Sequence, residues 1–193
     1  MKQICFATNN PGKLREIQQL LQGRFKVLGL KDIGCHEDIP ETRDTIEGNS
    51  LQKAEYIWQH YHVDCFADDT GLEVRALNNE PGVYSARYAG LQRSSADNMR
   101  LLLQKLRPHT DRAARFKTVI TLMLNGQAEF FEGIAEGTIA TQQAGVGGFG
   151  YDPVFIPAGH TKSFAEMSAD EKNLISHRGK AVRKLVKRLA AKQ

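Results

Sequence analysis

Short apolar runs and stretches of helical spacing alternate along most of the chain. The runs predict buried strands, which lie at Gln3–Ala7, Phe25–Leu30, Val63–Ala67 and Val154–Pro157. Apolar residues that recur every third or fourth position predict helices, which lie at about Pro11–Leu21, Thr45–His60, Asp97–Leu106 and Ser176–Ala191. The pattern is therefore that of strands separated by helices.

One predicted hairpin interrupts this alternation. The segments Arg115–Leu124 and Ala128–Thr141 flank Asn125-Gly126, a dipeptide that favours a tight two-residue turn. Helices between strands, together with one long hairpin, predict an α/β fold with a mixed central sheet flanked by helices. The 193 residues suffice for one domain with a sizeable core.

The segment Thr8-Asn9-Asn10-Pro11-Gly12-Lys13 connects the first predicted strand to the first helix. Asn10 is a good N-cap and Pro11 a good first helical residue. Lys13 lies in the first turn, where the helix dipole disfavours a cation unless an anion binds there. The spacing does not match the Walker phosphate loop. The segment alone leaves two interpretations open, a phosphate site or a well-capped helix with a solvated lysine.

The acidic pair Asp68-Asp69 follows the third predicted strand and precedes Thr70-Gly71, after which Leu72–Val74 could continue the strand beyond a kink. Carboxylates at the end of a strand suit a ligand site in an open α/β sheet, and two adjacent acids suit Mg²⁺. Alternation along a strand would point them to opposite faces, so that only one would bind metal. The alternative is an Asp-rich turn in which Gly71 supplies an unusual dihedral angle.

Two further segments carry candidate ligand contacts. The glycine-rich loop 145–153 contains Phe149, Tyr151 and Asp152, which could stack on a flat ring and accept hydrogen bonds; the alternative is a flexible loop. The segment 172–178 places His177 and Arg178 in the first turn of the last helix, where cations oppose the dipole. The alternative there is a solvated basic helix face.

Composition narrows the function classes. A formal charge of +4, dispersed along the chain, is too small to argue for nucleic acid. There is no apolar run long enough for a membrane span and no signal peptide. Three cysteines without a CxxC pair favour a reducing, cytoplasmic setting over a disulfide framework.

Taken together, these segments resemble the inosine triphosphate pyrophosphatase family. The matching stretches occur in the family's order and are ATNNPGKLREI, ADDTGLEVRALNNEPGVYSARYAG, GGFGYDPVF and SFAEMSADEKNLISHRGKA. The resemblance implies hydrolysis of ITP, dITP and XTP to the monophosphate and pyrophosphate, with Mg²⁺, in a homodimer. It also implies an elongated, two-lobed single domain over residues 1–193 with a central nucleotide cleft.

The resemblance also implies roles for individual residues. Asp69 and Lys13 would be catalytic, and Asp69 and Asp68 would hold the metal. Family members commonly carry an acid directly before Asn49, where this chain has Gly48, so Glu47 is the candidate to replace it. The implied substrate contacts are Thr8, Asn9, Asn10, Pro11, Gly12, Lys13, Thr70, Phe149, Gly150, Tyr151, Asp152, Lys172, His177 and Arg178.

The expected reaction is in-line attack of water on the α-phosphorus, with pyrophosphate as the leaving group. Arg178 could donate two hydrogen bonds to O6 and N7 of a 6-oxopurine, a geometry that adenine would not satisfy. The alternatives are a pyrophosphatase for modified pyrimidine triphosphates and a non-catalytic nucleotide-binding or nucleic-acid-binding module.

Overall fold

A computed structural model describes residues 2–191, so the ends of the predicted domain, Met1 and Gln193, lie outside the described residues. The strands are β1 (Lys2–Phe6), β2 (Phe25–Leu28), β3 (Cys65–Val74), β4 (Glu80–Gly82), β5 (Ala113–Leu124), β6 (Gln127–Ile139) and β7 (Phe155–Pro157). The helices are α1 (Pro11–Leu21), α2 (Ile46–Tyr61), α3 (Ser95–Leu106), α4 (Ala169–Ile175) and α5 (His177–Ala190). None of these helices is long and apolar enough to cross a membrane.

The described strands form one mixed sheet in the order β2-β1-β3-β5-β6-β7, with β4 paired to β3. Strands β1 and β2 are parallel, as are β1 and β3, where Cys5 is opposite Cys65. Strand β4 runs antiparallel to the second half of β3, and β7 runs antiparallel to β6. The predicted α/β fold with a mixed sheet is therefore confirmed.

By contact density the chain divides into two compact units. Of the described residues, the first contains 2–69, 118–133 and 178–191, and the second contains 70–117 and 134–177. In the first unit, alternate residues of β1 and β3 point to opposite faces. Phe6 and Phe66 pack with α1 and α5 on one face, whereas Ala7 and Ala67 pack with α2 on the other.

The second unit has its own core around α3. Leu102 and Leu106 of this helix are fully buried against side chains of β3, β5, β6 and β7. Phe116 lies 4.7 Å from Phe155, centroid to centroid, in a tilted aromatic pair. The apolar stripe predicted for the third helix thus faces a core, as expected.

Strand β3 departs most from the sequence-based expectation. It was predicted to stop at Ala67 and to resume at Leu72–Val74 after a kink, but it runs without a break through Asp68, Asp69 and Gly71 to Val74. The reason is its pairing: β1 accompanies its first half, while Leu72 is already opposite Gly82 of β4. Asp68 and Asp69 therefore lie within a strand, and an Asp-rich turn is ruled out.

Other boundaries agree to within a few residues, and two elements were missed. The tight turn is confirmed: Asn125 and Gly126 have φ of 49° and 77°, as a type I′ turn requires. Strand β4 and helix α4 were not predicted. The start of α4 was readable, because Ser168 and Glu171 form a capping box.

The β6–β7 pairing generates a stability prediction. A Cβ at Gly137 would lie 2.3 Å from the carbonyl oxygen of Ile156 and 2.7 Å from the Phe155 ring. We expect Gly137→Ala to lower the free energy of unfolding by about 1–3 kcal/mol, measured by urea denaturation. Gly29→Ala is the control, because a Cβ at Gly29 would meet nothing closer than 3.5 Å. This substitution should change the free energy of unfolding by less than about 0.5 kcal/mol. Equal effects of the two substitutions would contradict this interpretation.

Candidate active site

The two acids of β3 face opposite sides of the sheet, as strand alternation predicted. Asp68 lies on the α1 and α5 side and is fully buried. Its Oδ1 accepts a hydrogen bond from Lys13 Nζ at 3.0 Å, and its Oδ2 accepts one from Arg178 Nε at 3.1 Å. The Arg178 guanidinium also pairs with Glu16 through Nη1.

The Lys13–Asp68–Arg178 cluster is electrostatically coupled. Burial favours the neutral form of Asp68, but the charges of Lys13 and Arg178 outweigh burial and leave its pKa well below the usual range. Burial lowers the pKa of Lys13, an effect that the Asp68 charge opposes. Asp68 thus serves as the counter-ion of the buried Arg178 and the part-buried Lys13, and its two oxygens are already used as acceptors.

Asp69 lies on the α2 side and is 9% exposed. Its Oδ2 accepts a hydrogen bond from Asn49 Nδ2 at 3.4 Å. Lys53, one helical turn beyond Asn49, forms an ion pair with Glu41. Burial opposes the charge on Lys53, but Asp69 and Glu41 outweigh it and raise the pKa of the ammonium.

Sequence reasoning missed Glu41, Asn49 and Lys53. A signal existed for two of them, because Asn49 and Lys53 are polar residues four apart on the α2 face that also carries Ala54 and Ile57. Polar residues on the buried face of a helix require partners. Glu41 had no such signal, since the chain between Gly34 and Thr45 forms neither helix nor strand.

The structure does not bring Glu47 to Asp69. Glu47 is exposed in the first turn of α2. Two residues span about 200° around a helix, so Glu47 and Asn49 point in nearly opposite directions. Glu41 of the preceding loop, and not Glu47, is therefore the acid that shares Lys53 with Asp69.

The segment from Thr8 to Lys13 is a capped helix start. Asn10 Oδ1 accepts hydrogen bonds from the backbone N–H groups of Gly12 at 2.9 Å and Lys13 at 3.1 Å. The cap predicted at Asn10 is therefore present, while the phosphate site at this segment stays a prediction. The Lys13 side chain is not solvated either, since it is directed onto Asp68.

The second unit holds the glycine-rich loop. Asp152 Oδ2 accepts hydrogen bonds from Phe149 N at 2.8 Å and from Lys172 Nζ of α4 at 2.7 Å. The Lys172 ammonium also lies 5.0 Å from the Phe149 ring centroid. Gly148 has φ +68°, and a Cβ there would lie 2.0 Å from Asp152 Oδ2, so only glycine fits.

Further predicted residues of this unit are largely buried. The Tyr151 hydroxyl donates to the Ser85 carbonyl oxygen at 2.8 Å, and the His177 ring stacks on Phe116 at 4.5 Å. Thr70 is half-buried in β3. Arg178 differs from these residues, since it belongs to the first unit and is directed onto Asp68 and Glu16.

The sequence was compared with known proteins. A model described as the Ham1 family matches residues 4–188. The chain belongs to the Ham1 family. This Ham1-family chain is 57% identical to the dITP/XTP pyrophosphatase of Porphyromonas gingivalis over 96% of each chain. It is 55% identical to the dITP/XTP pyrophosphatase of Flavobacterium johnsoniae, over 97% of this chain and 98% of the relative.

Solved structures agree with this assignment. A HAM1 protein from Coxiella burnetii has a TM-score of 0.90 at 38% identity, over 99% of this chain and 100% of that one. The Staphylococcus aureus Ham1 protein has a TM-score of 0.89 at 38% identity, over 100% of both chains. The fold described above is thus the Ham1 fold.

The buried cluster generates a second prediction. Asp68→Asn removes a fully buried charge that faces one buried and one part-buried cation, and breaking such a cluster costs about 3–5 kcal/mol of unfolding free energy at pH 7. A carboxyl with a depressed pKa contributes stability above its unfolded pKa of about 3.9, and this contribution is lost as the pH falls. Denaturation at a series of pH values should therefore show a smaller loss of stability on acidification in the variant.

The control is Asp111→Asn in the exposed Arg75–Asp111 pair, where the Arg75 side chain is 74% exposed. This change should cost less than about 1 kcal/mol. A similar small cost for Asp68→Asn would show that Asp68 is not a required counter-ion.

Proposed function

We propose that this protein hydrolyses the non-standard purine nucleoside triphosphates dITP, XTP and ITP to the monophosphate and pyrophosphate, and so removes them from the nucleotide pool. The observation that carries the proposal is the identity above 50%, over nearly the whole chain, with relatives named dITP/XTP pyrophosphatases. A cluster of buried cations and carboxylates in the first unit provides suitable chemistry.

The charge of this cluster suits a triphosphate that arrives with a metal ion. Lys13, Lys53 and Arg178 are balanced by Asp68, Asp69, Glu41 and Glu16, which leaves one net negative charge. A polyanion would be repelled unless an additional cation accompanied it. No group of three or more acidic, His or Cys side chains among residues 2–191 is arranged to hold a metal alone. This donor set suits Mg²⁺, which commonly uses one or two carboxylates plus substrate oxygens.

We assign the metal to Asp69 and Glu41 and not to Asp68 or Glu47. Asp68 is already engaged by two cations, and Glu47 points away from Asn49. When bound there, Mg²⁺ would neutralise phosphate charge.

The side chains of the first unit suit hydrolysis at the α-phosphorus. Asp69 is a carboxylate with slight exposure and so can orient a water molecule and accept its proton. The bond between water oxygen and the α-phosphorus forms as the bond to the bridging oxygen breaks, and pyrophosphate leaves. The Lys13 ammonium, fixed by Asp68, stabilises charge that accumulates on the phosphate oxygens.

The second unit supplies candidate contacts for the purine base. We propose that Phe149 stacks on the base and that the Lys172 ammonium, oriented by Asp152, donates to its 6-oxo group. Adenine presents an amino donor at that position, so a donor would face a donor. We propose that Arg178 does not contact the base, because its guanidinium is held by Asp68 and Glu16.

The remaining functional assignments rest on the family resemblance. We propose that the chain acts as a single pyrophosphatase domain, works as a homodimer and resides in the cytoplasm. Thr8, Asn9 and Asn10 remain candidate triphosphate contacts, together with Pro11 and Gly12. Thr70, Gly150, Tyr151 and His177 remain candidate contacts for the rest of the nucleotide.

Asp69→Asn tests the catalytic assignment. The amide cannot accept a proton and is a poor metal ligand, so kcat for dITP should fall by about 10²–10⁴. Pyrophosphate release measures the rate. Asp170→Asn, at an exposed acid in the first turn of α4, is the control and should retain wild-type activity. Wild-type turnover by Asp69→Asn would refute the assignment.

A substrate panel tests the base selectivity. We expect kcat/KM for dITP, XTP and ITP to exceed that for ATP by at least about fivefold, since an unmet hydrogen bond costs roughly 1–3 kcal/mol. GTP and dUTP complete the panel. A higher kcat/KM for dUTP than for dITP would instead favour a pyrimidine-directed pyrophosphatase. Salt-sensitive DNA binding without hydrolysis would indicate a nucleic-acid-binding module.

A further inference from the structure

Residues 36–44, here called the acidic loop, carry Glu41 into the candidate site. The loop contains four acids and one arginine, and it lies in a stretch with neither helix nor strand. Without backbone pairing of that kind, side-chain contacts and packing must fix its path. Ile39 provides some packing, since it lies against the core beneath α2.

The contacts of the residues that follow Glu41 in the chain join the acidic loop to the start of α2. Thr42 N donates to Gln52 Oε1 at 2.9 Å, and Gln52 Nε2 donates back to the Thr42 hydroxyl at 2.9 Å. Arg43 N donates to Asn49 Oδ1 at 2.9 Å. Because Asn49 also donates to Asp69, this end of the loop is tied to the catalytic carboxylate.

The contacts of the residues that precede Glu41 in the chain involve two tyrosines of α2. Glu37 Oε1 accepts hydrogen bonds from the hydroxyls of Tyr61 at 2.6 Å and Tyr56 at 3.1 Å. Glu37 Oε2 accepts one from His36 N at 3.1 Å. The Tyr61 hydrogen bond, aided by the others, lowers the pKa of Glu37 to about 2, so the carboxylate stays ionised at working pH. Glu37, Tyr56 and Tyr61 are called the Tyr–Glu clamp below.

The acidic loop also touches the segment that begins α1. Asn9 Nδ2 donates to Asp38 Oδ1 at 3.2 Å, next to the clamp residue Glu37. The loop is thus connected on one side of Glu41 to the tyrosines and Asn9, and on the other to Gln52 and Asn49. Glu41 lies between these two sets of contacts and pairs with Lys53.

We propose that the Tyr–Glu clamp is a positioning element that holds Glu41 where it can bind the catalytic divalent cation together with Asp69. This inference rests on the proposed function. The clamp residues touch neither metal nor substrate and act through the acidic loop. Loss of the clamp leaves the part of the loop before Glu41 held only by the Asn9–Asp38 hydrogen bond and the packing of Ile39. The Glu41 carboxylate then samples positions away from Asp69, and metal affinity falls.

The test replaces both tyrosines. Tyr56→Phe/Tyr61→Phe keeps the ring packing and removes both hydroxyl donors. The Mg²⁺ concentration that half-saturates dITP hydrolysis should rise about three- to tenfold, the range for loss of one or two hydrogen bonds. The kcat at saturating Mg²⁺ should stay within about twofold of wild type, because the reacting groups are unchanged. Glu37→Gln, which weakens the same contacts from the acceptor side, should shift the Mg²⁺ requirement in the same direction.

A second readout needs no catalysis. Binding of Mn²⁺ alone, followed by electron paramagnetic resonance, should weaken in the double variant by a similar factor. Glu41→Gln removes the proposed ligand itself and so shows how far Mn²⁺ binding weakens when Glu41 contributes nothing. Tyr88→Phe is the matched control, since Tyr88 also donates to an exposed glutamate, Glu80, at 2.8 Å. It should leave both the Mg²⁺ requirement and Mn²⁺ binding unchanged.

The outcomes separate the two proposals. A wild-type protein that releases no pyrophosphate from dITP would refute the proposed function, while Mn²⁺ binding would still support or overturn the clamp. An active double variant with unchanged Mg²⁺ half-saturation and Mn²⁺ affinity would overturn the clamp, even if hydrogen exchange in residues 36–44 increased. A shift of the same size in Tyr88→Phe would overturn it as well.

Discussion

A buried carboxylate between a buried arginine and a part-buried lysine is the interaction on which the first unit depends. Asp68 is fully enclosed and accepts hydrogen bonds from Lys13 of α1 and Arg178 of α5. The two helices and strand β3 are thereby joined at one point by charge as well as by apolar packing. An isolated charge buried in this position would cost much free energy. Loss of any one of the three charged groups is therefore expected to destabilise the other two.

The strand geometry gives the neighbouring acid a different environment. Because successive side chains alternate, Asp69 faces α2, where Asn49 donates to it and Lys53 is shared with Glu41. One acid therefore fixes the lysine that we propose for phosphate binding, and the other remains slightly exposed where we propose that it meets metal and water. Two adjacent residues of one type thus acquire separate structural and chemical roles.

Much of the fold follows from local sequence signals. Helix α1 and its Asn10 cap, the turn at Asn125-Gly126 and the last helix were all predicted closely, because capping, turn chemistry and apolar spacing act over a few residues. A continuation of β3 at Leu72–Val74 was predicted only after a kink. The unbroken strand through Asp68–Gly71 was not predictable in this way, since the second half of β3 pairs with β4, which is short and contains Pro81.

The candidate site was predictable in part for the same reason. Strand alternation correctly separated Asp68 from Asp69 without any structure. The partners of these acids are distant in sequence: Arg178 is 110 residues from Asp68, and no local pattern joins them. Glu41 lies in a loop without periodicity, so only tertiary contacts reveal that it, and not Glu47, shares a cation with Asp69.

The central claim is that water attacks the α-phosphorus of dITP, and isotope labelling tests it most directly. The wild-type protein would hydrolyse dITP with Mg²⁺ in ¹⁸O-labelled water, and ³¹P NMR would locate the label through its isotope shift. Our account predicts ¹⁸O in dIMP and unlabelled pyrophosphate. Label in pyrophosphate, or release of labelled orthophosphate with dIDP, would contradict it.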